Sequence, residues 1–170
     1  MKRVTLMRHA DARWKDAGLT DLERPLSRRG THAAEAMARR LLALKLVPDL
    51  LLASPARRAQ QTAEVLARGL SLGARCVQRE EGLYLASAAD LLCLARKSGP
   101  RVTHLMVIAH NPGLSELAQL LLPAGQAQTL ATAAFCSMLF GCDDWQELSA
   151  ATLAGVQQES PPASLFGLFG

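Results

Sequence analysis

Two histidines and several arginines stand at the ends of apolar runs, where side chains from separate segments can meet. Lys2-Arg3-Val4-Thr5-Leu6-Met7 is mostly apolar with β-branched residues, and it ends in Arg8-His9-Ala10-Asp11-Ala12. Residues 49–54 run into Pro55-Ala56-Arg57-Arg58-Ala59, and residues 103–109 run into His110-Asn111-Pro112-Gly113. Guanidinium forks and imidazole N–H groups together suit the oxygens of a phosphoryl group.

For these groups to meet, the runs must lie side by side with their carboxyl ends together. In open α/β sheets that crevice is where ligands bind. The spacing predicts strands over 2–7, 49–54 and 102–109, the last being the most apolar and therefore central, with His104 at its far end from the site. Residues 31–46 predict an amphipathic helix capped by Thr31, with Ala34, Met37, Ala38, Leu41, Leu42 and Leu44 facing the core. Ser54-Pro55 predicts the start of a second helix that ends near Gly69. Arg57 and Arg58 fall in its first turn, where the helix dipole disfavours cations. A bound anion would reverse that cost, so the conflict points to an anion site. Residues 74–78 predict a short strand and 79–84 a loop. Ser87 caps a helix over 88–97 with Leu91, Leu92 and Leu94 inward, and another helix begins near Gly113 and ends before Pro123. Residues 133–140 and 145–153 read as a hairpin or a pair of edge strands, and 157–170 as a tail ordered only in part. This alternation predicts an α/β fold: a three-layer α/β/α sandwich with a mainly parallel central sheet and antiparallel edge strands, in one domain over 1–170. The polar loop 11–30 follows the first strand directly, and long loops in small domains are usually functional.

Four motifs stand in order: Arg8-His9, then Asp21-Leu22-Glu23-Arg24-Pro25-Leu26-Ser27-Arg28-Arg29-Gly30, then Ser54-Pro55-Ala56-Arg57-Arg58-Ala59-Gln60-Gln61-Thr62, then His110. Together they resemble the signature of the histidine phosphatase superfamily, the phosphoglycerate mutase-like phosphatases. The Asp21–Gly30 stretch and the short chain resemble its phosphohistidine phosphatase (SixA-type) branch. The resemblance implies a phosphoglycerate mutase-like fold. It makes Arg58, not Arg57, the phosphate ligand, and it turns Arg24 and Asn111 towards the substrate. Ala10 stands where many members carry glycine; its methyl group is small and no loss is expected.

In the chemistry this implies, His9 is the nucleophile. Neighbouring arginines disfavour its imidazolium, and its second ring nitrogen donates to a backbone carbonyl. Arg8, Arg58 and His110 hold the phosphoryl oxygens, and water then hydrolyses a phosphohistidine intermediate. Neither a metal nor another cofactor is expected. Larger members carry a general acid in a long insertion that this chain lacks. Asp11, Asp21, Glu81 and Asp90 are the candidates, and spacing selects none of them. Alkoxide leaving groups need such an acid strongly, whereas an imidazole leaves far more readily once protonated. The expected substrate is therefore a phosphorylated protein of the histidine-phosphotransfer or phosphocarrier type. The alternative is a small phosphate ester, and a third reading is a non-catalytic phosphate-binding module.

The net charge of +4 and the scarcity of aromatics, 4% of residues, give no sign of a nucleic-acid partner. No apolar run approaches a membrane span, and no membrane partner is expected. Cys76, Cys93, Cys136 and Cys142 lack metal-binding spacing and read as buried free thiols, which suits a cytoplasmic protein.

Overall fold

The central strands form where apolar residues run without interruption. In the computed structural model, which describes residues 1–13 and 18–163, every residue of His104–Ala109 is buried. This strand, β4, lies between β1 (Lys2–Arg8) and β2 (Leu50–Ala53), parallel to both. A single sheet of six strands has the order β3-β2-β4-β1-β5-β6, with β3 at Val77–Arg79, β5 at Phe135–Phe140 and β6 at Leu153–Glu159. The first four of these are parallel, and β5 is antiparallel to both β1 and β6. Two helices cover each face. The helices α1 (Arg28–Ala43) and α2 (Arg57–Gly69) pack on Met7, Leu51, Met106 and Ile108. On the other face α3 (Ala88–Arg96) and α4 (Gly113–Leu121) pack on Val4, Leu6, Leu105 and Val107. Alternate strand residues thus feed opposite faces, as the pleat requires. The three-layer sandwich is the predicted one.

Several boundaries differ from expectation for local reasons. Helix α1 starts at Arg28, capped by Ser27 and not by Thr31. The Ser27 hydroxyl accepts from Gly30 N at 2.9 Å and donates to Asp11 Oδ2 at 2.6 Å, so the strand-to-helix loop carries the cap. Leu42, expected inward, is 52% exposed. The helix stops at Ala43 because Lys45 turns left-handed and Leu46 N closes on Leu41 O. Helix α2 starts at Arg57, three residues past Ser54. The Ser54 N–H still bonds Ile108 O as a continuation of β2, so Pro55 and Ala56 make the turn.

Of the predicted strand over 145–153, residues 145–152 are not a strand. They form 3-10 turns at Trp145–Glu147 and Ala150–Thr152, anchored by the buried Trp145 ring, whose Nε1 donates to Val102 O. The edge strand comes later, at Leu153–Glu159, and takes in the start of the predicted tail. Residues 74–78 likewise resolve into a 3-10 turn at Ala74–Cys76 followed by β3. Residues 14–17 of the predicted loop and 164–170 of the predicted tail lie outside the described residues. Cys136 and Cys142 are buried free thiols as expected, but Cys93 is exposed and Cys76 half-buried. Among the described residues no helix is long and apolar enough to cross a membrane.

Candidate active site

Strands β1 and β4 are in register from Arg3↔His104 to Arg8↔Ala109, so Arg8-His9 and His110 leave the sheet side by side. Helix α2, following β2, brings Arg58 to the same point. A cleft of about 480 Å³ opens there, lined by Arg8, His9, Arg58 and His110 at its base and by Asp11, Asp21, Arg24 and Tyr84 around it.

His9 is held in one orientation. Its Nδ1 donates to Ala10 O at 2.8 Å, and Arg58 Nε lies 3.3 Å from its Nε2. A guanidinium N–H can only donate, so Nε2 presents its lone pair. Burial, with the charges of Arg58, Arg8 and Arg24 behind it, pushes the imidazole down to about 4, against the pull of the Ala10 carbonyl. The expected neutral ring is there, but desolvation rather than the arginines is the leading cause. The His110 ring centroid is 5.0 Å from that of His9. Its Nε2 bonds the Ser54 hydroxyl at 2.7 Å, and its Nδ1 faces Arg58 Nη2 at 3.4 Å. Burial, then the neighbouring His9 and Arg58, pushes His110 down to about 3. Arg8 donates from Nη1 to Leu130 O, while its Nε is buried without a partner.

Arg58 is fixed from both sides. Thr62, one turn on, donates to Arg58 O and accepts from Ala10 N at 3.1 Å, which ties the Arg8-His9 turn to α2. At the outer edge Arg58 Nη1 donates to Asp21 O at 2.6 Å and Nη2 to Asp21 Oδ2 at 2.9 Å. The Tyr84 hydroxyl donates to the same Oδ2 at 2.7 Å, and Arg24 pairs with Oδ1 at 3.0 Å. Against the upward push of burial, hydrogen bonds from Tyr84, Arg58 and Arg24 hold the Asp21 carboxyl far below the ordinary carboxylate range.

The four carboxyl candidates therefore separate. Asp21 lines the cleft, but as an anion occupied by three donors. Asp11 also lines it, accepting from the Ser27 hydroxyl and pairing with Arg29 at 3.0 Å. Glu81 does not reach the cleft lining; it pairs with Arg79 on the surface. Asp90 closes the capping box of α3 with Ser87. Arg24 lines the cleft, with Nε on Arg13 O. Asn111 lines it too, although its amide is engaged by Leu130 O and Ser115. Among the described residues no group of three or more His, Cys, Asp or Glu is placed to hold a metal ion. A neutral, fixed imidazole lone pair beside guanidinium groups is an arrangement able to attack phosphorus and to spread the charge that develops.

Known proteins share this arrangement of elements. The family model of the histidine phosphatase superfamily (branch 1) matches residues 4–84. An uncharacterized chloroplastic protein of Arabidopsis thaliana is 30% identical over 157 residues, which make up 88% of this chain and 71% of that protein. The chain belongs to the histidine phosphatase superfamily. The solved structure of the protein histidine phosphatase SixA complexed with tungstate has a TM-score of 0.74 at 28% identity, covering 94% of this chain and 97% of that one. A mycobacterial glucosyl-3-phosphoglycerate phosphatase shares the fold, with a TM-score of 0.64 at 17% identity over 94% of this chain and 98% of that one. The chain is a phosphatase of the SixA-type branch of the superfamily.

In this histidine phosphatase three site residues escaped the reading of the sequence. Ser54 and Thr62 stand inside a recognised motif, but their partners, His110 and the Ala10 N–H, come from other segments. Tyr84 is the chain's single tyrosine, and its ring meets His110 edge-on at 5.5 Å. A lone tyrosine at the end of a polar loop was the one signal it offered.

Proposed function

We propose that this histidine phosphatase is a protein phosphohistidine phosphatase acting through a phosphohistidine on His9. The observation that carries the reading is the state of Asp21. The carboxyl group nearest the phosphate-binding arginine is committed to Arg58, Arg24 and Tyr84 as an anion. A site without a ready proton donor favours a substrate whose leaving group needs little help, and an imidazole meets that need.

In the first step His9 Nε2 attacks phosphorus in line, and the P–N bond to the substrate histidine breaks. The departing imidazole nitrogen takes a proton from solvent. Arg8, Arg58 and His110 hold the phosphoryl oxygens. In the second step water attacks the phosphorus, the P–N bond to His9 breaks, and inorganic phosphate leaves. The arginines supply the positive charge, so the reaction runs without a metal ion, and Arg24 and Asn111 contact the substrate at the cleft wall. Residues 1–170 act as one catalytic domain.

The test is phosphate release from a histidine-phosphorylated phosphotransfer domain, beside a panel of small phosphate esters, with wild type and His9→Ala. Selective, His9-dependent loss of the protein label is expected. One observation favours a second reading, a small-metabolite phosphomonoesterase. Asp11 is a second carboxyl lining the cleft, held by the Ser27 hydroxyl and by Arg29 and not by the phosphate-binding arginine. Rapid turnover of one ester, dependent on Asp11, with none of the phosphoprotein would decide for it.

A further inference from the structure

Among the described residues four non-glycine positions have a left-handed backbone. Lys45 and Ser71 close helices α1 and α2, where that conformation satisfies the last carbonyls. Ala133 is buried, and its N–H lies on Arg8 O and His9 O beneath the site. Leu85 has no such duty. It holds φ 51° and is 62% exposed, and it stands at the mouth of the cleft.

A branched apolar side chain in that conformation is unfavourable on two counts, backbone strain and exposure to water. The surroundings nevertheless enforce it. On one side Tyr84 is tied to Asp21. On the other, the Ala86 carbonyl packs where a Cβ on Gly113 would lie 2.0 Å away, so only glycine at the start of α4 admits it. Ser87 then caps α3. Leu85 is thus pinned as a projecting knob.

We infer that Leu85 is a docking contact for the protein that carries the phosphohistidine, meeting apolar side chains next to the phosphorylated histidine on that protein's surface. The inference rests on the phosphohistidine reading above and adds the surface that recognises the carrier. A small phosphate compound reaches His9 without covering Leu85, whereas a phosphohistidine presented on a folded surface must bring its neighbours against the rim. An exposed rim residue held in a strained backbone by its surroundings makes sense when a partner contacts it.

The test compares wild type, Leu85→Asn and Leu85→Met on two probes. One is a histidine-phosphorylated phosphotransfer domain. The other is phosphoramidate, a minimal compound with the same P–N bond. Asparagine tolerates the left-handed backbone and removes the apolar contact; methionine keeps the contact. Leu85→Asn is expected to lower kcat/KM on the protein about tenfold, chiefly through KM, and to leave phosphoramidate turnover within about twofold. Leu85→Met is expected to stay near wild type on both. Equal effects of Leu85→Asn on the two probes, or none on either, overturn the docking role and leave the phosphohistidine reading intact. A wild-type enzyme that turns over phosphoramidate but never the phosphoprotein overturns both.

Discussion

The proposed attack by His9 requires a neutral ring, and burial keeps that ring neutral well into acid. His9 titrates at about 4 where an ordinary histidine titrates at 6.5, first because it is buried and then because Arg58, Arg8 and Arg24 surround it. At pH 5.5 an ordinary imidazole would be neutral in only about a tenth of molecules, whereas one titrating near 4 would be neutral in roughly 97%. The nucleophile should therefore lose almost nothing between pH 7 and 5.5. The measurement is an NMR titration of the His9 ring in the resting enzyme, since the substrate's phosphoryl group titrates near the same range and would blur a rate profile. Arg58→Met removes one of the charges that hold the ring neutral, so its midpoint should rise while staying below 6.5. The same displacement links pH to stability. The folded state binds the proton less readily than the unfolded one, so His9 contributes stability that is complete above pH 6.5 and is lost as pH falls towards 4. Between pH 7 and 5 the loss is about 2 kcal/mol for this group alone, readable by urea unfolding as the difference between wild type and His9→Ala, since His104 and His110 are depressed as well. A wild-type His9 midpoint at or above 6 would refute both the burial argument and the picture of a lone pair held ready.

Three further outcomes follow from particular contacts. Asp21→Asn frees the outer edge of Arg58, and kcat/KM should fall by roughly one to two orders of magnitude on phosphoramidate and on esters alike; a loss confined to substrates with poor leaving groups would make Asp21 the proton donor after all. Gly30→Ala sets a Cβ 2.0 Å from Asp11 O, so the first turn of α1 or the Asp11 loop must shift; thermal unfolding should show a loss of about 2 kcal/mol or more, and an unchanged Tm would contradict that close approach. Chelation with EDTA should leave phosphate release unchanged, because arginines supply the positive charge; a rate restored only by a divalent ion would break the proposed mechanism.

Much of this was legible because it is local. The continuous apolar run of β4 declares a strand buried on both faces, and its terminal His110 declares where the crevice lies. Arg58 in the first turn of α2 was legible as a conflict with the helix dipole. What escaped depends on partners far along the chain. The sequence pointed to Thr31 as the cap; Asp11, sixteen residues before Ser27, bonds the serine hydroxyl and helps fix the helix start there. Trp145 follows a turn signal that suggested a hairpin, yet its ring is drawn into the core and the backbone curls into 3-10 turns to allow it. The carboxyl candidates were inseparable by spacing because their fates are decided by what they meet: Asp90 its own helix cap, Glu81 a surface arginine, Asp21 the clamp itself.

The fate of Asp21 bears most directly on selectivity. A carboxylate that orients an arginine cannot also serve as a proton donor without releasing it. Protonating Asp21 would weaken its bonds from Arg58, Arg24 and Tyr84 together, at the moment when, in the proposed reaction, Arg58 holds the phosphoryl oxygens. In the proposed reaction the site thus exchanges acid catalysis for a rigid clamp. That exchange is harmful for a phosphate ester, whose alkoxide leaves badly without a proton. It matters little for a phosphoramidate, whose nitrogen can be protonated from solvent. On this view the preference for phosphohistidine arises as much from how Arg58 is held as from the shape of the cleft. Selectivity and catalysis would then be inseparable at Asp21, whereas Leu85, on the rim, could change the choice of carrier protein without touching the chemistry.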